Sequence, residues 1–222
     1  MKIDWSQIQL VLLDMDGTLL DLHYDNHFWH QHLPKRYAQI HGLTPEQADA
    51  LLSARIEATR GQLHWYCLDA WTDYLNLDLD ALKKETAHLI GFRQDAEHFL
   101  QQLQRMDLRF VLATNAHRGS VNLKFAHSDL PKYFQHPERI VSAHDLGAAK
   151  ESPEFWVALQ QQLNFNPAHT LFIDDNLSVL TQAKAFGIRE VIAIASPDSQ
   201  QPARVVPGFP NIHTFSELGI NA

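Results

Sequence analysis

Five short apolar runs, each separated from the next by a stretch long enough for a helix, restrict what this chain can fold into more than any other feature. They are LVLLD (10–14), LRFVLAT (108–114), RIVSA (139–143), TLFID (170–174) and EVIAIA (190–195). Runs that are apolar throughout, rather than at alternate positions, suit strands covered on both faces, which is the condition of a parallel sheet in an α/β protein. The connecting stretches DAEHFLQQLQRM (95–106), SVNLKFAH (120–127), SPEFWVALQQQL (152–163) and NLSVLTQAKAFG (176–187) read as helices. Ser152-Pro153 and Asn176 are good helix starts, and Gly187 is a good stop. The pattern predicts a Rossmann-like, doubly wound parallel sheet.

Residues 22 to 92 break the alternation, because no credible strand occurs there. HFWHQHLPKRYAQIHG, TPEQADALLSARIEATRG, HWYCLDAWTDYL and DLDALKKETAHLIG read as amphipathic helices, interrupted at Gly42, Gly61 and Asn76, with Thr44-Pro45 as a helix start. The expected organisation is therefore a catalytic core of residues 1–20 and 93–222 with an inserted all-helical cap over 21–92. A chain of 222 residues with 45% apolar content can bury both. The segment from Ser196 to Asn211, punctuated by prolines and Gly208, reads as an irregular loop before a short last element at NIHTFSELG.

Charge and composition remove several classes of function. A formal charge of −8 argues against a nucleic-acid polymer as partner, since that binding rests on Lys and Arg neutralising phosphates. The opening MKIDWSQIQL has no apolar stretch suited to a signal peptide or membrane span, so a cytoplasmic protein without a membrane partner is expected. Cys67 is the one cysteine, cannot form an intramolecular disulfide, and reads as a packed thiol. None of the fourteen histidines shows H-E-x-x-H or paired His/Cys spacing, and His23, His27, His30 and His32 read as polar faces of a helix. Nothing in the sequence fixes an oligomeric state.

In an open parallel sheet, ligands bind beyond the carboxyl ends of the strands. Asp14 and Asp16 follow the first strand, Thr114 and Asn115 the second, and Asp174 and Asp175 close the fourth, while Lys150 lies on the connection after RIVSA. Carboxylates gathered this closely raise one another's pKa and destabilise the fold unless a cation compensates them. Four carboxylates, a hydroxyl and an ammonium on one rim point to a site for a metal ion and a phosphate.

The set D-M-D-G-T (14–18), L-A-T-N (112–115), Lys150 ahead of a helix, and F-I-D-D (172–175), in that order, resembles the haloacid dehalogenase superfamily of phosphohydrolases. The resemblance implies that Asp14 is a carboxylate nucleophile forming an aspartyl-phosphate. It implies Mg²⁺ held by Asp14, the backbone carbonyl of Asp16, and Asp175, with Asp174 acting through water or exchanging roles with Asp175. Asp16 would protonate the leaving oxygen and later take a proton from the attacking water. Thr114 and the amides of the turn at Gly17 would bind phosphoryl oxygens, with Asn115 a further phosphate contact, and Lys150 would neutralise charge on the nucleophile and the transferring group. Lys132, a rival to Lys150, sits in a Pro-Lys-Tyr loop and reads as solvated.

The core motifs specify phosphoryl transfer, and the insertion selects the ester. LDLHYDNHFW (20–29) and LHWYCLDAW (63–71) carry an unusual aromatic load, and Tyr24, Asp25 and Asn26 follow the first strand so closely that they are expected to face the cleft. The patterns LDL-x-x-DN-x-FW and L-x-WYCLD-x-W are similar to those of bacterial purine nucleotidases of this superfamily, which implies a 5′-nucleotidase acting on purine nucleoside monophosphates such as GMP and IMP. A phosphosugar phosphatase or phosphomutase would keep every core motif. A non-enzymatic phosphate-binding or receiver module needs neither Asp16 nor an insertion, and haloalkanoate dehalogenation needs no metal site.

Overall fold

A computed structural model describes residues 3–220, so positions 1–2 and 221–222 of the expected core lie outside the described residues. Six parallel strands form one sheet: β1 (Leu10–Leu13), β2 (Arg109–Thr114), β3 (Ile140–Ser142), β4 (Thr170–Asp174), β5 (Glu190–Ile194) and β6 (Asn211–Ile212), in the order β3-β2-β1-β4-β5-β6. The first five lie where the apolar runs predict them. β6 and the turn at Phe215–Leu218 account for the short last element. Leu13 pairs with Leu112 on one side and Ile173 on the other, so β1, β2 and β4 end within two residues of one another. From β1 the chain winds outward to β2 and β3, and β4 to β6 extend the other way. The crevice between β1 and β4 is thus the switch point at which such sheets bind ligands.

The helices of the insert come first along the chain. α1 (His23–His27) runs through a wide π turn at Phe28–His32 into α2 (Leu33–His41), and α3 (Pro45–Thr59), α4 (Leu68–Leu75) and α5 (Leu79–Glu85) follow. The π turn lies directly before Pro34, whose missing N–H and bulky ring prevent a regular α-helical hydrogen bond there. Thr44 and Gln47 cap α3 reciprocally, and Gly42 ends α2 in the left-handed conformation. Phe28, Leu33, Leu52, Leu68, Trp71, Leu75, Leu79 and Leu82 form a separate apolar cluster. Fully burying a side chain of this size contributes about 1.5–3 kcal/mol. Trp71 Nε1 donates to the Trp65 carbonyl at 2.8 Å, so its one polar atom is satisfied.

The remaining helices cover the sheet. α6 (Ala96–Arg105) and α7 (Arg118–Ala126) pack Phe99, Leu100, Leu103 and Val121 on the face formed by Val11, Leu13, Phe110, Leu112, Leu171 and Ile173. After the one-turn α8 (Ala143–Leu146), α9 (Pro153–Leu163) and α10 (Leu177–Phe186) cover the opposite face, setting Phe155, Trp156, Leu159, Leu180 and Ala183 against Leu10, Leu12, Val111, Ala113 and Phe172. Alternate residues of each strand serve alternate faces, which is why the runs are apolar throughout. Where the insert leaves and rejoins the sheet, Leu20 pairs with Phe92, and buried Arg93 donates to the carbonyls of Thr18, Ser196 and His213. Those three bonds hold the loop after β1 to the segments that follow β5 and β6. Among the described residues no helix is long and apolar enough to cross a membrane.

Candidate active site

Asp14 continues directly from β1, its N–H bonded to the Ile173 carbonyl at 3.1 Å, so the strand ladder itself delivers its carboxylate to the crevice. Lys150 Nζ lies between two acids, 2.5 Å from Asp14 Oδ1 and 2.7 Å from Asp174 Oδ2, and also donates to the Ala113 carbonyl at 3.1 Å. All three side chains are buried. Burial alone would lower the pKa of Lys150, but Asp14 and Asp174 outweigh it and raise it, so the ammonium keeps its proton. Burial raises the pKa of Asp14 well above the usual carboxylate range; Lys150 opposes that shift, and Asp174, Asp16 and Asp175 add to it.

Asp175 stands beside this pair. Its Oδ2 accepts from Arg204 Nη2 at 2.7 Å, and burial together with Asp174 pushes its pKa up to about 7. Carboxylate oxygens of Asp14, Asp174 and Asp175 all lie within 4.8 Å of one another. Such an all-oxygen, net-negative donor set fits a hard divalent cation of the Mg²⁺ type. Gly17 is required here twice over. Its φ is +78°, and a Cβ would come within 2.8 Å of Asp175 Cγ and 3.0 Å of Pro197 Cβ.

Asp16 faces elsewhere. Its Oδ1 accepts from Lys124 Nζ at 2.6 Å, and the same ammonium donates to Asp25 Oδ2 at 2.7 Å, while Asp25 Oδ1 accepts from Lys83 Nζ at 3.3 Å. Burial raises the pKa of Asp16, with Lys124 restraining the shift and Asp25 adding to it. For Asp25 burial also pushes upward, but Lys124 and Lys83 prevail and lower its pKa. Lys83 is lowered by burial, and its ammonium lies 4.5 Å from the Phe28 ring centroid and 5.1 Å from that of Tyr24.

A third chain of contacts joins insert and core. The Tyr66 hydroxyl donates to Glu151 Oε1 at 2.5 Å, Glu151 Oε2 accepts from Asn115 Nδ2 at 2.8 Å, and Asn115 Oδ1 accepts from the Lys150 N–H at 2.9 Å. Buried Thr114 stands at the end of β2, with its Oγ1 accepting from the Ala116 N–H.

Asp14, Thr114, Asn115, Lys150, Asp174 and Asp175 therefore meet at one rim, as their strand ends predict. Tyr24, Asp25 and Asn26 do not face an open cleft. Tyr24 is buried with its hydroxyl on the Lys83 carbonyl, Asp25 has both oxygens taken by lysines, and Asn26 Nδ2 donates to Asp198. Following β1 closely puts these three in the joint between insert and core, where buried polar groups must pair with one another. Sequence reasoning missed Lys124, Lys83, Glu151, Tyr66 and Arg204 as individuals. The available signal for Lys124 was a lysine three residues after Val121 on the apolar stripe of α7. Lys132, set aside as solvated, is exposed and pairs with Asp129.

A family model described as haloacid dehalogenase-like hydrolase matches residues 8–187. The chain is 34% identical to the GMP/IMP nucleotidase YrfG of Escherichia coli over 217 residues, covering 98% of this chain and 96% of that one. Among solved structures it is similar to a HAD phosphatase from Thermococcus onnurineus, with TM-score 0.75 at 20% identity, covering 95% of this chain and 96% of that one. It is also similar to CbbY from Rhodobacter sphaeroides, with TM-score 0.62 at 19% identity over 96% of each chain.

Proposed function

The chain belongs to the haloacid dehalogenase-like hydrolases, and on that premise we propose that it is a Mg²⁺-dependent 5′-nucleotidase acting on purine nucleoside monophosphates through an aspartyl-phosphate on Asp14. The observation that carries the substrate is the 34% identity to a GMP/IMP nucleotidase along nearly the whole of both chains, insert included. In this reading residues 21–92 cap a core of residues 1–20 and 93–222. A cytoplasmic setting suits it, since Cys67 stays reduced there.

Asp14 attacks phosphorus, the bond from phosphorus to the ribose O5′ breaks, and Asp16 gives that oxygen its proton. Water then attacks the aspartyl-phosphate, Asp16 takes the proton back, and phosphate leaves with Asp14 restored. The raised pKa of Asp16 supports its acting first as an acid. Lys150, 2.5 Å from Asp14, favours the ionised nucleophile and offsets charge on the transferring group. Thr114 and the turn at Gly17 orient phosphoryl oxygens. A bound Mg²⁺ would be held by Asp14, Asp175 and the Asp16 carbonyl, supplying positive charge against the clustered carboxylates and the phosphoryl oxygens. Asp174 already accepts from Lys150 and from the Asn176 N–H at 2.7 Å, which favours Asp175 as the direct ligand and Asp174 as one acting through water. Among the insert aromatics, Tyr66 reaches the rim and packs edgewise on Trp65 at 4.5 Å, so these two rings are assigned to the purine face. Stacking of this kind contributes about 1–3 kcal/mol per base.

Measuring kcat/KM for GMP, IMP, AMP, UMP and a hexose phosphate with Mg²⁺ tests the reading, and GMP and IMP should lead. Preference for the hexose phosphate would move the enzyme to the phosphosugar phosphatases. Absence of phosphate release from every ester would favour a binding or receiver module.

A further inference from the structure

Histidines that have no metal-binding spacing along the sequence acquire one in space. β2 and β3 are neighbours with Thr114 paired to Ser142, so His117, three residues beyond the end of β2, and His144, two beyond the end of β3, stand side by side above the rim. The Ser142 hydroxyl fixes their loops together by donating to the Ala116 carbonyl at 2.7 Å. Their rings meet edge to face with centroids 5.0 Å apart. The N-terminal end of α4 comes over them: Leu68 Cδ2 would lie 3.5 Å from a Cβ placed on Gly119, and Cys67 immediately precedes Leu68. One ligand atom from each of Cys67, His117 and His144 falls within 4.8 Å of the others.

His144 Nε2 is buried and has no hydrogen-bond partner among the described residues. A buried nitrogen left without a partner is destabilising and calls for an explanation. His117 Nε2 has Asp69 Oδ2 at 3.7 Å, and its Nδ1 accepts from the Gly119 N–H at 3.4 Å, so ligation through Nε2, which places the ring proton on Nδ1, gives up one long contact.

We propose that Cys67, His117 and His144, completed by Asp69 or a water molecule, form a Zn²⁺ site that fastens the helical insert to the core. One thiolate, two imidazoles and a carboxylate or water make a tetrahedral zinc donor set. Zinc–ligand lengths of about 2.0–2.3 Å require neighbouring ligand atoms about 3.3–3.6 Å apart, so the three groups need close by no more than about 1.5 Å on binding. Sulfur and nitrogen donors set this place apart from the all-oxygen cluster at Asp14, which selects hard cations. Zn²⁺ binding here releases the Cys67 proton and joins α4 to the loops after β2 and β3. Cys67, at the start of α4, directly follows Tyr66, so the metal also restrains the end of the insert that touches Glu151.

Titration of the full chain with Co²⁺ under excess Mg²⁺, which occupies the oxygen cluster, tests the site independently of any substrate. One equivalent should produce a thiolate-to-cobalt charge-transfer band together with tetrahedral d–d absorption, and Zn²⁺ should displace both. Cys67→Ser should abolish the charge-transfer band. His144→Gln should weaken Zn²⁺ binding by at least the roughly 10- to 100-fold that even the loss of an outer-shell partner costs. Zn²⁺ should also raise the Tm of the wild-type chain and leave that of both variants unchanged. A wild-type chain without a thiolate band, or a His144→Gln variant that binds Zn²⁺ as tightly as wild type, would overturn the proposal. His144→Gln serves alone if Cys67→Ser does not fold.

Discussion

Replacing Tyr66 by Phe removes one oxygen and tests whether the insert acts on the core through a single polar path. The hydroxyl donates to Glu151 Oε1 at 2.5 Å, and the chain continues through Asn115 Nδ2 to Glu151 Oε2 at 2.8 Å and from the Lys150 N–H to Asn115 Oδ1 at 2.9 Å. Burial, and then the charge of Glu151, raise the phenol pKa, so the group remains a donor at any working pH. A hydrogen bond to an ionised acceptor contributes about 1.5–3 kcal/mol net. The lower end applies because Tyr66 is half-buried, and about 1.4 kcal/mol corresponds to a tenfold effect. Tyr66→Phe should therefore lower kcat/KM about tenfold on the best phosphate ester, with the Mg²⁺ requirement intact. Because Asn115 shares the Glu151 carboxylate, Tyr66→Phe combined with Asn115→Ala should cost less than the sum of the two single changes by about 0.5 kcal/mol or more. Steady-state kinetics on the four proteins, with Tm measured alongside, decide the matter. A Tyr66→Phe enzyme within twofold of wild type, or strictly additive losses, would refute a path through Glu151.

Asp14→Asn should abolish turnover without lowering Tm, since it removes a carboxylate whose pKa burial and its acidic neighbours raise; residual Mg²⁺-dependent activity would reassign the nucleophile. Asp16→Asn should cost about 10²- to 10⁴-fold on a nucleoside monophosphate and far less on an activated aryl phosphate, whose leaving group needs no proton; equal losses on the two would point to a role in site geometry instead. The folded pKa of Asp175, about 7, lies above its ordinary value of 3.8, so the folded state binds the extra proton. Stability without a divalent cation should therefore fall as pH rises from about 4 through about 7. Saturating Mg²⁺ should flatten that decline in chemical denaturation; a decline of the same size with Mg²⁺ would mean that the cation does not bind at Asp175.

The sheet was legible because burial on both faces writes each strand as an unbroken apolar run, and the rim was legible because parallel strands all end on one side. Asp14, Thr114, Lys150, Asp174 and Asp175 could therefore be placed together from spacing alone. Contacts between elements far apart in sequence could not. Lys124 reaches Asp16 across 108 positions, Tyr66 reaches Glu151 across 85, and Arg204 meets Asp175 from a stretch read as an irregular loop. Asp25 was misplaced for the same reason. A carboxylate that follows β1 so closely reads as cleft-facing until two lysines from other helices are known to surround it. The π turn at Phe28–His32 escaped as well, since the hydrophobic pattern continues through it and only Pro34 marks the strain.

Two carboxylates two residues apart are held by different cations, which suits the different duties proposed for them. Asp14 shares Lys150 with Asp174, and all three belong to the core. Asp16 shares Lys124 with Asp25, which belongs to the first helix of the insert. The negative charge of Asp25 raises the pKa of Asp16, while Lys124 lowers it. With Asp25 at 2.7 Å the ammonium is divided between two acids, and Asp16 retains a proton more readily. Any movement of α1 that lengthens the contact between Asp25 and Lys124 leaves the ammonium to Asp16 alone, 2.6 Å away, and favours the ionised form. Under the proposed role of Asp16 as the acid, the proton is therefore best retained when the insert is seated on the core, with Asp25 at Lys124.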